Sequence, residues 1–170
     1  MITDLVQIKL LGTKQREENL RFRRHMKSHD HSDRILRRIA ETIEDQIDCR
    51  QCANCCRETD APVTQRDVDR LARHFRVKGQ RIMADYVVES DSAEEPYRLR
   101  RHDNGECIFL SGNECTVYDA RPEVCQRYPH LVRGSGSIAS RMWAMADRAA
   151  VCPIVYNALE AFKVELKFRK

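Results

Sequence analysis

Eight cysteines lie between residues 49 and 152 of this 170-residue chain, and four of them fall between residues 49 and 56. A spacing of two residues lets successive thiolates turn back toward one metal while backbone N–H groups point at the sulfur atoms. Metal-free thiols rarely cluster so closely, and a disulfide between the adjacent Cys55 and Cys56 would be strained. The pattern therefore predicts metal binding. The predicted ligands are Cys49, Cys52, Cys55, Cys56, Cys107, Cys115, Cys125 and Cys152.

The choice between iron–sulfur clusters and zinc depends on cysteine spacing. Zinc sites commonly combine two C-x2-C pairs, whereas the second half of this chain has only single cysteines. Three evenly spaced cysteines with a remote Cys-Pro pair, here Cys152-Pro153, are typical of bacterial ferredoxins. The spacing favours an iron–sulfur cluster, preferably 4Fe-4S, and zinc is the alternative. An arrangement with one cluster and one zinc ion also remains open. One site is expected to use Cys49, Cys52, Cys55 and Cys152, and the other Cys56, Cys107, Cys115 and Cys125.

The cysteines stand in ordered motifs that resemble a known family. The run from Cys49 to Cys56, Cys-Arg-Gln-Cys-Ala-Asn-Cys-Cys, resembles the signature of the YkgJ-type cysteine-cluster family, whose CxxCxxCC domain is described as zinc- or iron-chelating. Residues 107–110, 115–118, 121–125 and 128–129 follow the order of that family. The resemblance implies a metal-binding domain mostly without assigned activity. A more distant similarity to the cysteine-cluster part of flagellin lysine N-methylase implies a protein-modifying enzyme as an alternative.

Charged side chains flank the cysteines and crowd the N-terminal region. Arg50, Arg57, Arg121 and Arg127 neighbour predicted ligands and are interpreted as compensation for thiolate charge. Acidic residues interleave with the basic residues near the N-terminus, which argues against nucleic-acid binding there. The basic N-terminal helices are candidates for contact with an unknown protein partner, so a zinc-stabilised interaction module is a further alternative.

Other chemistry-bearing residues are interpreted as structural or solvated. The histidines His25, His29 and His31 are expected to be solvated in a polar loop. Trp143 is expected to pack in the core near the metal site. There is no phosphate-binding loop and no dinucleotide-binding glycine pattern, so the sequence leaves enzymatic activity open.

Composition and hydropathy bear on the size of the core and on the compartment in which the protein is expected. The chain has a net charge of +4, 33% charged residues and only 6% aromatic residues, so a small core helped by metal bonds is expected. No run approaches the ~18 apolar residues that span a bilayer. The first residues lack the pattern of a secretory signal, and we therefore expect a reducing cytoplasm without membrane association.

The elements expected to position the cysteines are mostly helical. Leu36, Ile39, Ile43 and Ile47 form an apolar stripe on a predicted helix, and Thr64 with Asp67 resembles a capping box. Short strands are expected at residues 97–100, 108–110 and 116–118, with a turn at residues 111–113 and a last helix from Pro153. The predicted fold class is a small, irregular, α-rich α+β domain organised around cysteine–metal sites. Residues 1–45 are predicted to be a helical N-terminal extension and residues 46–170 the cysteine-cluster metal-binding domain.

Overall fold

Helices make up most of the structure, a computed structural model that describes residues 1–29 and 31–168. In chain order the helices are α1 (Leu5–Lys14), α2 (Arg16–Ser28), α3 (Asp33–Glu44), α4 (Cys49–Cys52), α5 (Asn54–Glu58), α6 (Gln65–Phe75), α7 (Gly79–Tyr86), α8 (Glu123–Arg127), α9 (Ile138–Arg141), α10 (Met145–Arg148) and α11 (Pro153–Glu165). Two antiparallel hairpins accompany them, β1 (Val87–Glu89) with β2 (Tyr97–Leu99) and β3 (Leu110–Ser111) with β4 (Glu114–Cys115). The predicted α-rich α+β class is confirmed.

The chain divides into two compact units. The first, called the helical unit, consists of Met1–Asp48 and Pro129–Lys170. The second, called the cysteine unit, is Cys49–Tyr128 and contains every predicted ligand except Cys152. The predicted division of the chain at residue 45 remains a prediction. In the described part of the chain, no helix combines the length and the hydropathy needed to cross a membrane.

The helical unit has a conventional apolar core. Helix α3 packs against α11, and α2 packs against α10. Phe22 and Phe162 are fully buried in this core. Helix α11 begins with Pro153 as predicted, because a proline at the first helical position lacks an N–H that the helix would leave unbonded anyway. Gly12 allows α1 to approach the backbone at Ala149 closely, since a Cβ on residue 12 would lie only 2.4 Å from the carbonyl oxygen of Ala149.

Residues 130–150 are more ordered than their glycine and serine content suggests. The buried side chain of Arg141 donates hydrogen bonds to the carbonyl oxygens of Leu131 (3.1 Å) and Gly134 (2.8 Å). It also donates to the carbonyl of Gly136 at 2.9 Å. The guanidinium group of Arg141 therefore fixes the conformation of this loop. The rest of the segment consists of α9, a 3₁₀ turn at Met142–Ala144, and α10.

The predicted capping box organises the cysteine unit. The side chain of Thr64 accepts from the Asp67 N–H, and the Asp67 carboxylate accepts from the Thr64 N–H at 2.9 Å. The same buried carboxylate accepts from the N–H of Glu123 at 2.8 Å, and so joins the start of α8 to α6. Asp67 thereby positions the short helix that carries Cys125.

The two hairpins match the predicted strands only in part. Residues 97–99 pair with β1 as Leu99 with Val87, close to the expected strand. The second ladder is confined to residues beside the turn at Gly112, whose φ of 61° suits a residue without a Cβ. The predicted strand at residues 116–118 is wrong, because the chain leaves the ladder after Cys115 and enters a 3₁₀ turn at Tyr118–Ala120.

Candidate metal centre

The first four cysteines occupy two short helical turns with a reversal between them. Helix α4 ends at Cys52, and α5 contains Cys55 and Cys56. Ala53 between them adopts a left-handed conformation with φ of 47°. This conformation costs a non-glycine residue roughly 1–2 kcal/mol, so the surrounding contacts must hold it. Its N–H donates to the Cys49 carbonyl at 2.9 Å, and its own carbonyl accepts from the Cys56 N–H at 3.1 Å.

Backbone and side-chain bonds attach this segment to the β3–β4 hairpin. The Cys107 N–H donates to the carbonyl of Cys56 at 2.9 Å. The Asn113 amide donates to the carbonyl of Gln51 at 3.0 Å, and Arg57 donates to the carbonyl of Gly112 at 2.7 Å. Cys115 is paired with Leu110 in the hairpin. Cysteines that are far apart in sequence therefore meet within the cysteine unit.

Four of these thiols lie close enough to interact electrostatically. Burial, with smaller contributions from the nearby Cys107, Cys56 and Cys115, raises the pKa of Cys125 to about 12. Burial also raises the pKa of Cys107 to about 11, with contributions from Cys56 and Cys115. The pKa of Cys115 is likewise raised by burial and by Cys56. Cys56, Cys107, Cys115 and Cys125 thus form one thiol group, here called the four-thiol group.

Cys56 differs from the other three members of the group. A hydrogen bond from the Cys55 thiol lowers the pKa of Cys56 to about 7, against the opposing effect of burial. Arg57, Arg121 and Arg101 contribute to this lowered pKa, because their positive charges favour the thiolate. Cys56 is therefore the first thiolate to form in the group as pH rises.

Arginine side chains supply the positive charge around the four-thiol group. The Arg101 guanidinium donates to the carbonyl oxygens of Thr59, Gly105 and Arg57. The Arg121 guanidinium lies over the Tyr118 ring, 3.5 Å from its centroid. Arg57 also donates to the Glu106 carboxylate at 2.8 Å.

The role of Arg101 was not predicted from the sequence, because Arg101 neighbours no cysteine along the chain. Among the arginines that were predicted to compensate thiolate charge, Arg57 and Arg121 do act on Cys56. The predicted Arg127 is ion-paired with Glu123 on α8.

The remaining predicted ligands have other surroundings. Cys49 is exposed, whereas Cys52 and Cys55 are half-buried. Cys152 is buried in the helical unit at the start of α11, where its N–H donates to the Arg148 carbonyl at 2.8 Å. Its assignment to a site with Cys49, Cys52 and Cys55 remains a prediction. No disulfide joins any of the eight cysteines, all of which lie in the described residues.

The donor chemistry of the four-thiol group fits a thiolate-bound metal. Four sulfur donors with nearby arginines suit iron–sulfur clusters and zinc alike. In the described ranges, no three His, Cys, Asp or Glu side chains are already arranged to hold a metal ion. The thiols must therefore lose protons and reorient on binding, which is the usual coupling of metal binding to folding.

Comparison with known proteins agrees with this donor chemistry. The family model CxxCxxCC, described as a "putative zinc- or iron-chelating domain", matches residues 48–153, more than half of the chain. No curated protein and no solved structure matches the chain. The matched range includes all eight cysteines.

Proposed function

The chain belongs to the CxxCxxCC family of zinc- or iron-chelating domains, and we propose that it holds one or two iron–sulfur clusters with a structural or redox role. The four-thiol group carries this proposal, because Cys56 acts on the ionisation of Cys107, Cys115 and Cys125, and Cys107 and Cys115 also act on Cys125. Cys56, Cys107, Cys115 and Cys125 are the ligands of one cluster, preferably 4Fe-4S. Cys49, Cys52 and Cys55 supply the thiolates for a second centre.

The ionisation of the thiols supports a metal-dependent centre. With a pKa of about 11 for Cys107 and about 12 for Cys125, both thiols keep their protons at neutral pH in the metal-free chain. A bound cation displaces such protons, because a coordinated thiol is deprotonated. Cys56 is the entry ligand, since its pKa of about 7 provides a thiolate before the others.

Three arginine side chains are also placed to compensate the negative charge of a thiolate-bound centre. Arg57, Arg101 and Arg121 act on Cys56 from different parts of the cysteine unit. The fixed hydrogen bonds of Arg101 to backbone carbonyls hold its charge in place when the centre loads. When bound, an iron–sulfur cluster supplies one-electron chemistry and cross-links between its ligands.

A structural contribution follows from the small strands of the cysteine unit. Each strand of the β3–β4 hairpin has two residues, too few to be stable in isolation. Phe109 and Val117, beside this hairpin, contribute to a core that also contains Leu71 and Ile82. Metal–thiolate bonds at Cys107 and Cys115 would fix both ends of the hairpin to α5 and α8.

Single cysteine substitutions test the proposed ligand group. We expect Cys56→Ala, Cys107→Ala, Cys115→Ala and Cys125→Ala each to lose the same centre, measured as iron and acid-labile sulfide with the electron paramagnetic resonance signal of the reduced protein. Cys49→Ala should retain this signal. The matched control is Val117→Ala, which creates a cavity at a buried residue of the same region and should lower stability but keep the metal.

Two results would contradict the assignment. Retention of the full metal content and signal by Cys125→Ala would exclude Cys125 as a ligand. Loss of different signals by Cys107→Ala and Cys115→Ala would place these two cysteines in different centres. If the purified protein contains zinc and neither iron nor sulfide, the same cysteines form a zinc site and the iron–sulfur cluster is excluded.

A further inference from the structure

The three arginines beside the four-thiol group differ in what their guanidinium groups bind. The Nε of Arg57 donates to the Glu106 carboxylate, and the Nε of Arg101 donates to the Gly105 carbonyl. The Nε of Arg121 is buried, yet among the described residues no acceptor lies within hydrogen-bond distance of it. Buried donors in native proteins are nearly always bonded, so this one indicates an acceptor that arrives with a ligand.

The positive charge of Arg121 acts on three members of the four-thiol group. It favours the thiolate form of Cys56, Cys115 and Cys125, and so opposes the rise that burial causes in the pKa of the last two. Charges interact in this way over short distances, so the guanidinium group lies near these thiols. The buried Nε–H is therefore in a part of the cysteine unit where sulfur atoms are available as acceptors.

Backbone and side-chain contacts hold Arg121 in place. Its carbonyl oxygen accepts from the Arg70 guanidinium at 2.6 Å and from the Gln126 amide at 2.7 Å. Arg70 is itself ion-paired with the buried Asp67 carboxylate at 3.2 Å. The Cζ atom of Arg121 lies 3.5 Å from the Tyr118 ring centroid, so the ring covers one face of the guanidinium group. The N–H groups lie in the guanidinium plane, and this stacking leaves them able to donate.

We propose that the Nε–H of Arg121 donates to a sulfur atom of the loaded centre and thereby raises its reduction potential. This inference rests on the proposed iron–sulfur cluster. The potential of such a cluster depends on net charge and on hydrogen bonds to its sulfur atoms. Reduction adds one negative charge, so a fixed cationic donor stabilises the reduced form more than the oxidised form. Arg121 is thus a positioning residue that tunes the centre.

A redox titration of the loaded full chain, followed by electron paramagnetic resonance, tests the role of Arg121. Arg121→Gln removes the charge and the Nε–H. At a given applied potential it should lower the ratio of reduced to oxidised cluster at least about tenfold, a shift of about 59 mV to more negative potential for one electron. Arg121→Lys keeps the charge but loses the stacked guanidinium group, and it should recover only part of this shift.

Arg127→Gln is the matched control, because it removes the same charge from the helix that carries Cys125. Arg127 is exposed and ion-paired with Glu123, and solvent screens its charge. The ratio of reduced to oxidised cluster in Arg127→Gln should therefore stay within about twofold of that in the unchanged protein. Iron and acid-labile sulfide are measured in every sample, so that only loaded protein is compared.

Hyperfine spectroscopy of the unchanged protein tests the hydrogen bond without a substitution. With isotopically labelled nitrogen at arginine Nε alone, the reduced centre should show coupling to one nitrogen nucleus, since the Nε atoms of Arg57 and Arg101 are bonded to oxygen. Absence of this coupling, an unchanged midpoint in Arg121→Gln, or full recovery by Arg121→Lys would each overturn the role of Arg121 while leaving the cluster in place. Protein without iron and sulfide would overturn the proposed cluster and this inference with it.

Discussion

The backbone N–H of Cys107 donates a 2.9 Å hydrogen bond to the carbonyl oxygen of Cys56. This bond joins the second cysteine-bearing segment directly to the first. The adjacent hairpin then carries Cys115, and the Asp67 contact with the N–H of Glu123 positions the helix of Cys125. Backbone contacts therefore bring the proposed ligands together, while thiol orientation is left to metal binding.

Removal of metal should loosen the cysteine unit more than the helical unit. We expect chelation under anaerobic reducing conditions to lower the melting temperature of the cysteine unit by about 10 °C or more, because ligand bonds supplement its small core. Hydrogen exchange should accelerate at residues 107–125 and remain slow around Phe22 and Phe162 in the helical unit. Unchanged melting and exchange in the metal-free protein would refute a structural role for the metal.

Alkylation of the metal-free protein should distinguish Cys56 from the other members of the four-thiol group. Its pKa of about 7 makes the thiolate abundant at neutral pH, whereas the pKa of Cys125 is about 12. Mass spectrometry of iodoacetamide-treated protein should show Cys56 modified with an inflection near pH 7, and Cys125 unmodified at that pH. The same modification rate at both cysteines across the pH series would contradict this difference.

Substitution of Arg101 should reveal how much the cysteine unit depends on a fixed guanidinium. Arg101→Lys removes the fork that donates to the Thr59 and Gly105 carbonyls, and a lysine ammonium cannot reach both. We expect a loss of about 3 kcal/mol in the free energy of unfolding, measured by urea denaturation of the metal-loaded protein. The exposed Arg66→Lys is the control and should unfold as the unchanged protein does. Equal stability of both variants would show that the Arg101 hydrogen bonds contribute little.

Glu44 should make the helical unit less stable as pH rises. Burial raises the pKa of Glu44 above its usual 4.5, although Arg133 lies 2.9 Å away and opposes the shift. Above about pH 4.5 the folded state therefore binds more protons at this group than the unfolded state, so its contribution to stability falls as pH rises through the folded pKa.

Glu44→Gln removes that dependence. The stability of Glu44→Gln relative to the unchanged protein should increase between about pH 4 and pH 7, as followed by urea unfolding with the fluorescence of the single tryptophan. Arg34→Gln on the same helix is exposed and leaves Glu44 in place, so it should show no such trend. A stability difference that stays constant or falls with pH would contradict the raised pKa of Glu44.

The sequence predicted best where one local interaction determines the structure. The Thr64–Asp67 capping box and the helix that starts at Pro153 were both predicted from neighbouring residues and are confirmed. The α-rich class followed from helical periodicity. Short strands were predicted less well, because two-residue ladders depend on the turn and on tertiary contacts rather than on strand propensity.

Features that depend on distant residues could not be predicted from local patterns. Trp143 was expected in the core, which is wrong, since its side chain is 64% exposed while Met142 and Met145 are buried. A 3₁₀ turn directs adjacent residues to different sides there, and the Arg148 guanidinium lies 5.7 Å from the Trp143 ring centroid. The Arg101 contacts likewise required the folded chain, as did the stacking of the His25 and His29 rings, whose centroids lie 4.0 Å apart.

Analysis of metal and acid-labile sulfide in anaerobically purified protein tests the central claim most directly. The proposal predicts brown protein that contains iron and acid-labile sulfide in equal amounts, about four of each per 4Fe-4S cluster. Cys125→Ala should contain one cluster fewer. Colourless protein with one or two zinc ions and no sulfide would contradict the iron–sulfur assignment, although the cysteines would remain metal ligands.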